Sequence, residues 1–318
     1  MGFYPARELL PFFIDDGCGG IRETNLSETT NVRVAVDVRC ELGEGPLWHP
    51  KRGRLLWFDI KGQTLFEASV DGGGLRAFGF GEPVSAAGWI DATDIVVASA
   101  TGLQRLNLET GARTTIASLE AANPLTRSND GRVGPGGAFW IGTMGLKTEA
   151  GAGALYRFAD GKFEILRTGM TVPNSIAFSP DRRRAYFSDT REKRIMVFSL
   201  DAETGAPTGN ADIFVDLAAE GLKPDGAVVD AAGYLWSAQW GSGRVARYGP
   251  DGVFDRAVDL PVSQPTCPAF GGPDLKTLFV TSAWQGFDAT ARDAEPLAGA
   301  VFAIDVDAAG QCEHAFIG

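Results

Sequence analysis

Six short phrases of the chain place one residue each at the same point of a strand-like segment. They are Glu44 in Gly43-Glu44-Gly45-Pro46, Val84 in Pro83-Val84-Ser85-Ala86, Asn129 in Ser128-Asn129-Asp130-Gly131, Asn174 in Pro173-Asn174-Ser175-Ile176, Asp225 in Pro224-Asp225-Gly226-Ala227 and Thr266 in Pro265-Thr266-Cys267-Pro268. Four of the six, Glu44, Asn129, Asn174 and Asp225, carry a carboxylate or amide oxygen. Brought to one point, oxygen-only donors suit a hard divalent cation such as Ca²⁺, Mg²⁺ or Mn²⁺. Two positive charges would also offset the two carboxylates, which otherwise repel at close range. Taken singly, each phrase is an ordinary turn or a solvated acid; four in phase are harder to dismiss. The other recurrent acids, Asp59, Asp189, Asp130 and Asp181, end second strands or sit in turns and read as structural.

The elements that must position these residues repeat with them. The steps between the six positions run from 40 to 51 residues, the length of a four-stranded propeller blade and too long for a leucine-rich repeat. Each unit opens on the phrase and turns through Pro, Asp or Gly. It continues in an apolar and aromatic strand such as Leu55-Leu56-Trp57-Phe58 or Phe139-Trp140-Ile141. Two further strands follow, and almost no segment sustains a helical period. The reading is an all-β chain, a six-bladed β-propeller over residues 32–318, with the first strand of each blade lining a central channel. Residues 1–31 match nothing later and read as a loosely attached N-terminal extension. Val32 to Val38 alternates as a half-buried strand should. It is expected to close the ring in the last blade and so hide the sheet edges. The rival closing strand is Cys312 to Ile317.

Composition excludes several classes. With 318 residues and a net charge of −11, the chain lacks the basic footprint of a nucleic-acid binder and is unsuited to an anionic membrane surface. No run approaches the roughly 20 apolar residues of a membrane span. Leu9 to Ile14 is too short for a secretory signal. Four cysteines, Cys18, Cys40, Cys267 and Cys312, without CxxC spacing read as reduced thiols of a cytoplasmic protein. The two histidines, His49 and His314, cannot build a His-rich zinc site. Neither is in phase with a channel serine, so a nucleophilic triad is not arguable. A monomer or weak homo-oligomer is expected.

Gly43-Glu44-Gly45-Pro46-Leu47-Trp48, Arg127-Ser128-Asn129-Asp130-Gly131, Gly142-Thr143-Met144, Pro173-Asn174-Ser175-Ile176-Ala177-Phe178, Pro224-Asp225-Gly226 and Phe270-Gly271-Gly272-Pro273-Asp274 stand in order over residues 40 to 310. In this the chain resembles the SMP-30/gluconolactonase family. The resemblance implies a six-bladed propeller with one divalent metal cation in its channel and hydrolysis of a sugar lactone to the aldonic acid. It implies Glu44, Asn174 and Asp225 as direct metal ligands, and Arg127 and Asn129 as substrate contacts, with Asn129 close to the metal. Glu149 stands where some relatives have a substrate-contacting Glu. Ca²⁺ is the first expectation for the metal, with Zn²⁺, Mg²⁺, Mn²⁺ or Fe²⁺ as alternatives. In the corresponding mechanism the metal polarises the carbonyl and Asp225 is the candidate general base, one oxygen on the metal and the other facing water; the alternative is pure ligation by Asp225, with a metal-bound hydroxide as nucleophile. Two other readings stand beside it: a non-catalytic, calcium-binding protein of the regucalcin type, and a hydrolase of another ester such as a phosphotriester. The segment Leu146 to Ala152 is short and rich in Gly and Ala, so substrate selectivity cannot be copied from relatives.

Overall fold

The computed structural model describes residues 31–318; the reading of residues 1–30 as part of an extension lies outside them. The described residues form six four-stranded antiparallel sheets. Blades 1 to 5 each consist of four strands consecutive in the chain. Their first strands are Gly43–His49, Val84–Trp89, Thr126–Val133, Pro173–Phe178 and Pro224–Val229, and that of blade 6 is Pro265–Gly271. Blade 6 takes its outermost strand, Val32–Val36, from the N-terminal side. That strand runs antiparallel to Val301–Asp305, with Val32 opposite Ile304 and Val36 opposite Val301.

Hydrophobic pattern explains the packing. First and second strands are buried along nearly their whole length, and most are runs of apolar or small residues, because both of their faces meet a neighbouring blade. One cluster joins Leu47, Leu56 and Phe58 of blade 1 to Val84, Ile95 and Val97 of blade 2. Trp57, Trp140, Tyr186, Trp236 and Phe279 occupy second strands of five blades and are essentially inaccessible to solvent. Burying one large apolar side chain contributes about 2–3 kcal/mol, so each blade contact is a substantial element of stability. Fourth strands, such as Lys162–Met170, are mostly exposed or half-buried and form the outer, solvated edge of each blade. Cys40 and Cys267 are buried free thiols and Cys312 is an exposed one. No helix among the described residues is long and apolar enough to cross a membrane.

Every first strand carries one extra residue relative to its partner. Glu44 opposes Phe58 but Leu47 opposes Leu56; Val84 opposes Ser99 but Ala86 opposes Ala98; Ser128 opposes Thr143 but Gly131 opposes Ile141. The shift recurs between Asn174 and Ala177, between Pro224 and Ala227 and between Pro265 and Pro268. A bulge bends the strand and re-aims the side chains around it. At two of the six the chain turns left-handed immediately after the phased residue, at Gly45 (φ 54°) and Ser175 (φ 60°). A Cβ on Gly45 would lie 2.2 Å from the Ser85 carbonyl oxygen, so only glycine fits there. The acids that end second strands hold these strand starts in place. Asp59 accepts the N–H groups of Glu41, Leu42 and Gly62 at 2.9–3.1 Å, and Asp189 accepts those of Thr171, Val172 and Arg191 at 2.6–3.1 Å.

Cys312 to Ile317 is not a strand. The tail crosses the channel at the end where the first strands finish. Gln311 Nε2 donates to the Phe178 and Val229 carbonyls at 2.7 and 3.3 Å. The Glu313 carboxylate meets Arg132, and the Trp89 indole donates to the Glu313 carbonyl at 2.9 Å. Phe316 packs on Phe139 and Phe158. Its alternation serves contacts with several blades rather than one sheet edge.

Candidate functional site

The opposite end of the channel is an open cavity of about 330 Å³. Glu44, Asn129, Asn174 and Asp225 are all in its wall, with Arg127 beside them. The two apolar or hydroxyl members of the phased set do other work. Val84 belongs to the core between blades 1 and 2, and Thr266 donates to the Gly43 carbonyl at 2.5 Å and pairs with Thr281 at 2.8 Å.

Hydrogen bonds orient the polar side chains. Arg127 Nη1 donates to Asn129 Oδ1 at 2.8 Å. Asn129 Nδ2 in turn donates to the Pro173 carbonyl and to Asn174 Oδ1, both at 2.9 Å. Asn174 Nδ2 donates to Thr190 Oγ1 at 2.8 Å, which passes the chain on to the Pro224 carbonyl at 2.7 Å. Asn129 therefore turns its amide nitrogen toward blade 4 and its oxygen to the guanidinium, and fixes the Asn174 oxygen rather than adding a fourth donor. Glu44 Oε2 accepts the Gly45 N–H at 3.0 Å. The Asp225 carboxylate accepts no side-chain hydrogen bond among the described residues.

Glu44, Asp130 and Asp225 are all about 95% buried, and the cost shows in their protonation. Glu44 is pushed up to about 8, first by burial and then by Asp130, against the opposing pull of the Gly45 N–H and Arg127. Asp225 is raised well above the ordinary aspartate range by burial, then by Glu44 and Asp130. Burial lowers Arg127 to about 10 despite Glu44. Among the described residues no ion pair joins the buried carboxylates of Glu44 or Asp225 to a cation, and the two raise each other's proton affinity. A divalent cation held between them would offset that repulsion, and the oxygens of Glu44, Asn174 and Asp225 are donors of the right hardness for one. Only two of the three are carboxylates, and no group of three or more His, Cys, Asp or Glu suited to a metal stands among the described residues.

The raised Glu44 has a measurable consequence in protein stripped of divalent metal. The folded state then binds a proton that the unfolded chain releases near 4.5 and the folded one near 8. Where the folded state holds the extra proton, stability falls as pH rises, at about 1.4 kcal/mol per pH unit for one group. Thermal unfolding in EDTA is expected to show the midpoint dropping from pH 5 to pH 8 and levelling above it, with added divalent cation flattening the slope.

Glu149 does not join the cavity wall. It is exposed, and its carboxylate folds back to accept the Lys147 N–H at 3.0 Å, closing the turn after Gly145. Thr148, left-handed at φ 64°, lines the cavity instead. Other wall residues have no phase with the six phrases: Thr190, Arg191 and Lys193, Lys223, Trp240 and Gln285. Most of these follow directly on second strands, whose ends lie beside the beginnings of the first strands in an antiparallel pair. That adjacency is the signal by which they could have been found.

Residues 42–284 match the family model described as SMP-30/Gluconolactonase/LRE-like region. An L-arabinolactonase of Azospirillum brasilense is 38% identical over 90% of this chain and 95% of its own length. A 6-deoxy-6-sulfogluconolactonase of Pseudomonas putida is 36% identical over 87% and 95%. Among solved structures, a calcium-binding protein, regucalcin, from Agrobacterium tumefaciens superposes with a TM-score of 0.88 at 41% identity, covering 90% of this chain and 97% of that one.

Proposed function

The chain belongs to the SMP-30/gluconolactonase/LRE-like family, and on that premise we propose that it hydrolyses a sugar lactone to the aldonic acid, with a divalent cation at Glu44, Asn174 and Asp225. The observation that carries this reading is the placement of three buried oxygen donors and a buried guanidinium in the wall of one open cavity. Bound there, a cation such as Ca²⁺ would supply Lewis-acid polarisation of the lactone carbonyl.

The chain's own residues do the rest. Arg127 faces the cavity with donors to spare beyond Asn129 and orients substrate oxygens. Asn129, locked between Arg127 and Asn174, holds both in register. Trp240, Met144 and Val172 give the cavity apolar walls against which the C–H faces of a sugar ring can lie. Asp225 takes a proton from the attacking water and returns it to the ring oxygen as the ester C–O bond breaks. Its carboxylate stands in the cavity wall and accepts no side-chain hydrogen bond among the described residues, which leaves it free to take the water's proton. Among the described residues no serine or histidine lines the cavity, which favours direct attack by water over an acyl-enzyme.

A calcium-binding role without catalysis is less well supported, because cation storage gives no use for a buried Arg127 in the cavity wall. The test is proton release from a panel of pentono- and hexonolactones by metal-loaded protein. EDTA is expected to abolish turnover and a divalent cation to restore it. Turnover that survives exhaustive chelation would refute the cation's part in the proposal.

A further inference from the structure

We propose that the preferred lactone bears a second anionic group, a carboxylate, sulfonate or phosphate, at the end remote from its carbonyl, held by Arg191, Lys193 and Lys223. This rests on the lactonase reading and names the substrate class of that same cavity. All three cations stand in the wall on the side of blades 4 and 5. Arg191 and Lys193 belong to the turn after Arg184–Asp189, the second strand of blade 4, and Lys223 immediately precedes the first strand of blade 5.

The two acids of the segment that carries Arg191 and Lys193 are engaged elsewhere. Asp189 spends both oxygens on the N–H groups of Thr171, Val172 and Arg191. Glu192, the one acid inside the turn, pairs with Arg167 at 3.3 Å. No ion pair joins Arg191, Lys193 or Lys223 to a carboxylate among the described residues. The turn that presents them is rigidly specified. Lys193 sits at φ 56°, its N–H bonded to the Asp189 carbonyl at 3.2 Å, and such a conformation persists only where its surroundings impose it.

Charge and chemistry then decide what the rim is for. The chain carries a net charge of −11, so three unpaired cations gathered on one side of a cavity run against the background. Cations converging on a concave wall raise the local concentration of anions and speed their capture. A neutral sugar lactone offers hydroxyls, which amides and hydroxyls bind without the cost of holding full charges unpaired. The carboxylate released by hydrolysis forms beside Asp225, so the rim is left for a charge already present on the substrate. The reaction leaves that group unchanged, and the product carries it together with the new carboxylate.

The experiment compares kcat/KM for D-gluconolactone with its 6-phospho, 6-sulfo and 6-carboxylate counterparts, in wild type and in Lys193→Gln, Lys223→Gln and the double variant. Wild type is expected to favour at least one anionic lactone about tenfold or more. That preference should shrink as salt rises and vanish in the double variant. The anion with the largest gain identifies the group recognised. Equal kcat/KM for neutral and anionic lactones in wild type would overturn the proposal, as would a double variant that keeps the preference. If no lactone is hydrolysed, the lactonase reading fails. Calorimetry of 6-phosphogluconate, with and without the two lysines, then decides the rim separately: lysine-dependent binding supports it and lysine-independent binding or none overturns it.

Discussion

Asp225→Asn is expected to lower kcat for lactone hydrolysis by about 10³-fold or more without lowering the stability of the metal-free protein. The activity loss follows from removing a general base, which alone contributes 10²–10⁴-fold, together with one of two carboxylates of the proposed cation site. The stability arm follows from electrostatics. Asp225 is buried against Glu44 and Asp130, and taking away one of three mutually repelling acids relieves the other two. Thermal unfolding in EDTA should therefore place the variant level with wild type or above it. The same variant separates the two roles of Asp225. If it only ligates, raising the divalent metal concentration should recover turnover as the weakened site fills. If it is also the base, kcat stays low at saturating metal while KM changes little. A variant that retains full activity in low metal would leave Asp225 with neither role.

Much of the architecture was legible because the propeller repeats its own error check. One phrase at a 40–51-residue step fixes six first strands at once, and the acids after Phe58 and Ser188 read as structural and are so. The phasing of Glu44, Asn129, Asn174 and Asp225 holds in space because all six first strands share the same bulge. The bulge itself was not legible. At Ser175 nothing in the side chain announces a left-handed φ of 60°, which the packing of the blade imposes. Asn129 looked like an oxygen donor because an amide's two ends are equivalent in a sequence. Only the contact with Arg127 decides which end faces where. Glu149, Lys193 and Lys223 lie in connections of variable length, where register carries no information and the path of the loop determines what reaches the cavity. The tail reads as a rival to Val32 to Val38 for a related reason: Glu313 and Phe316 are spaced for Arg132 and for the Phe139–Phe158 cluster, and that spacing imitates a strand.

Arg132→Leu is expected to cost about 3–5 kcal/mol of stability, the typical result of breaking a buried ion pair by removing one partner. Arg132 lies in the channel between the cavity and the tail, with 7% of its surface accessible. Its Nε donates to the Ile176 carbonyl at 3.0 Å and its Nη2 to the Ala227 carbonyl at 3.1 Å, while Nη1 meets the Glu313 carboxylate. Leucine leaves two buried carbonyls without these donors and Glu313 without its partner. It also removes the cation nearest Asp130, whose carboxylate accepts the Ile176 N–H at 2.7 Å. Denaturant titration of the metal-loaded protein reads the loss. A double-mutant cycle with Glu313→Leu separates the pair from its surroundings, and a coupling energy above about 1 kcal/mol is expected for two charges in direct contact. The double variant should recover part of the loss, because two apolar groups in a closed channel cost less than one stranded carboxylate. Should Arg132→Leu cost under about 1 kcal/mol, the tail is held by Phe316 and the backbone contacts alone. The channel would then have no need of a guanidinium at its centre.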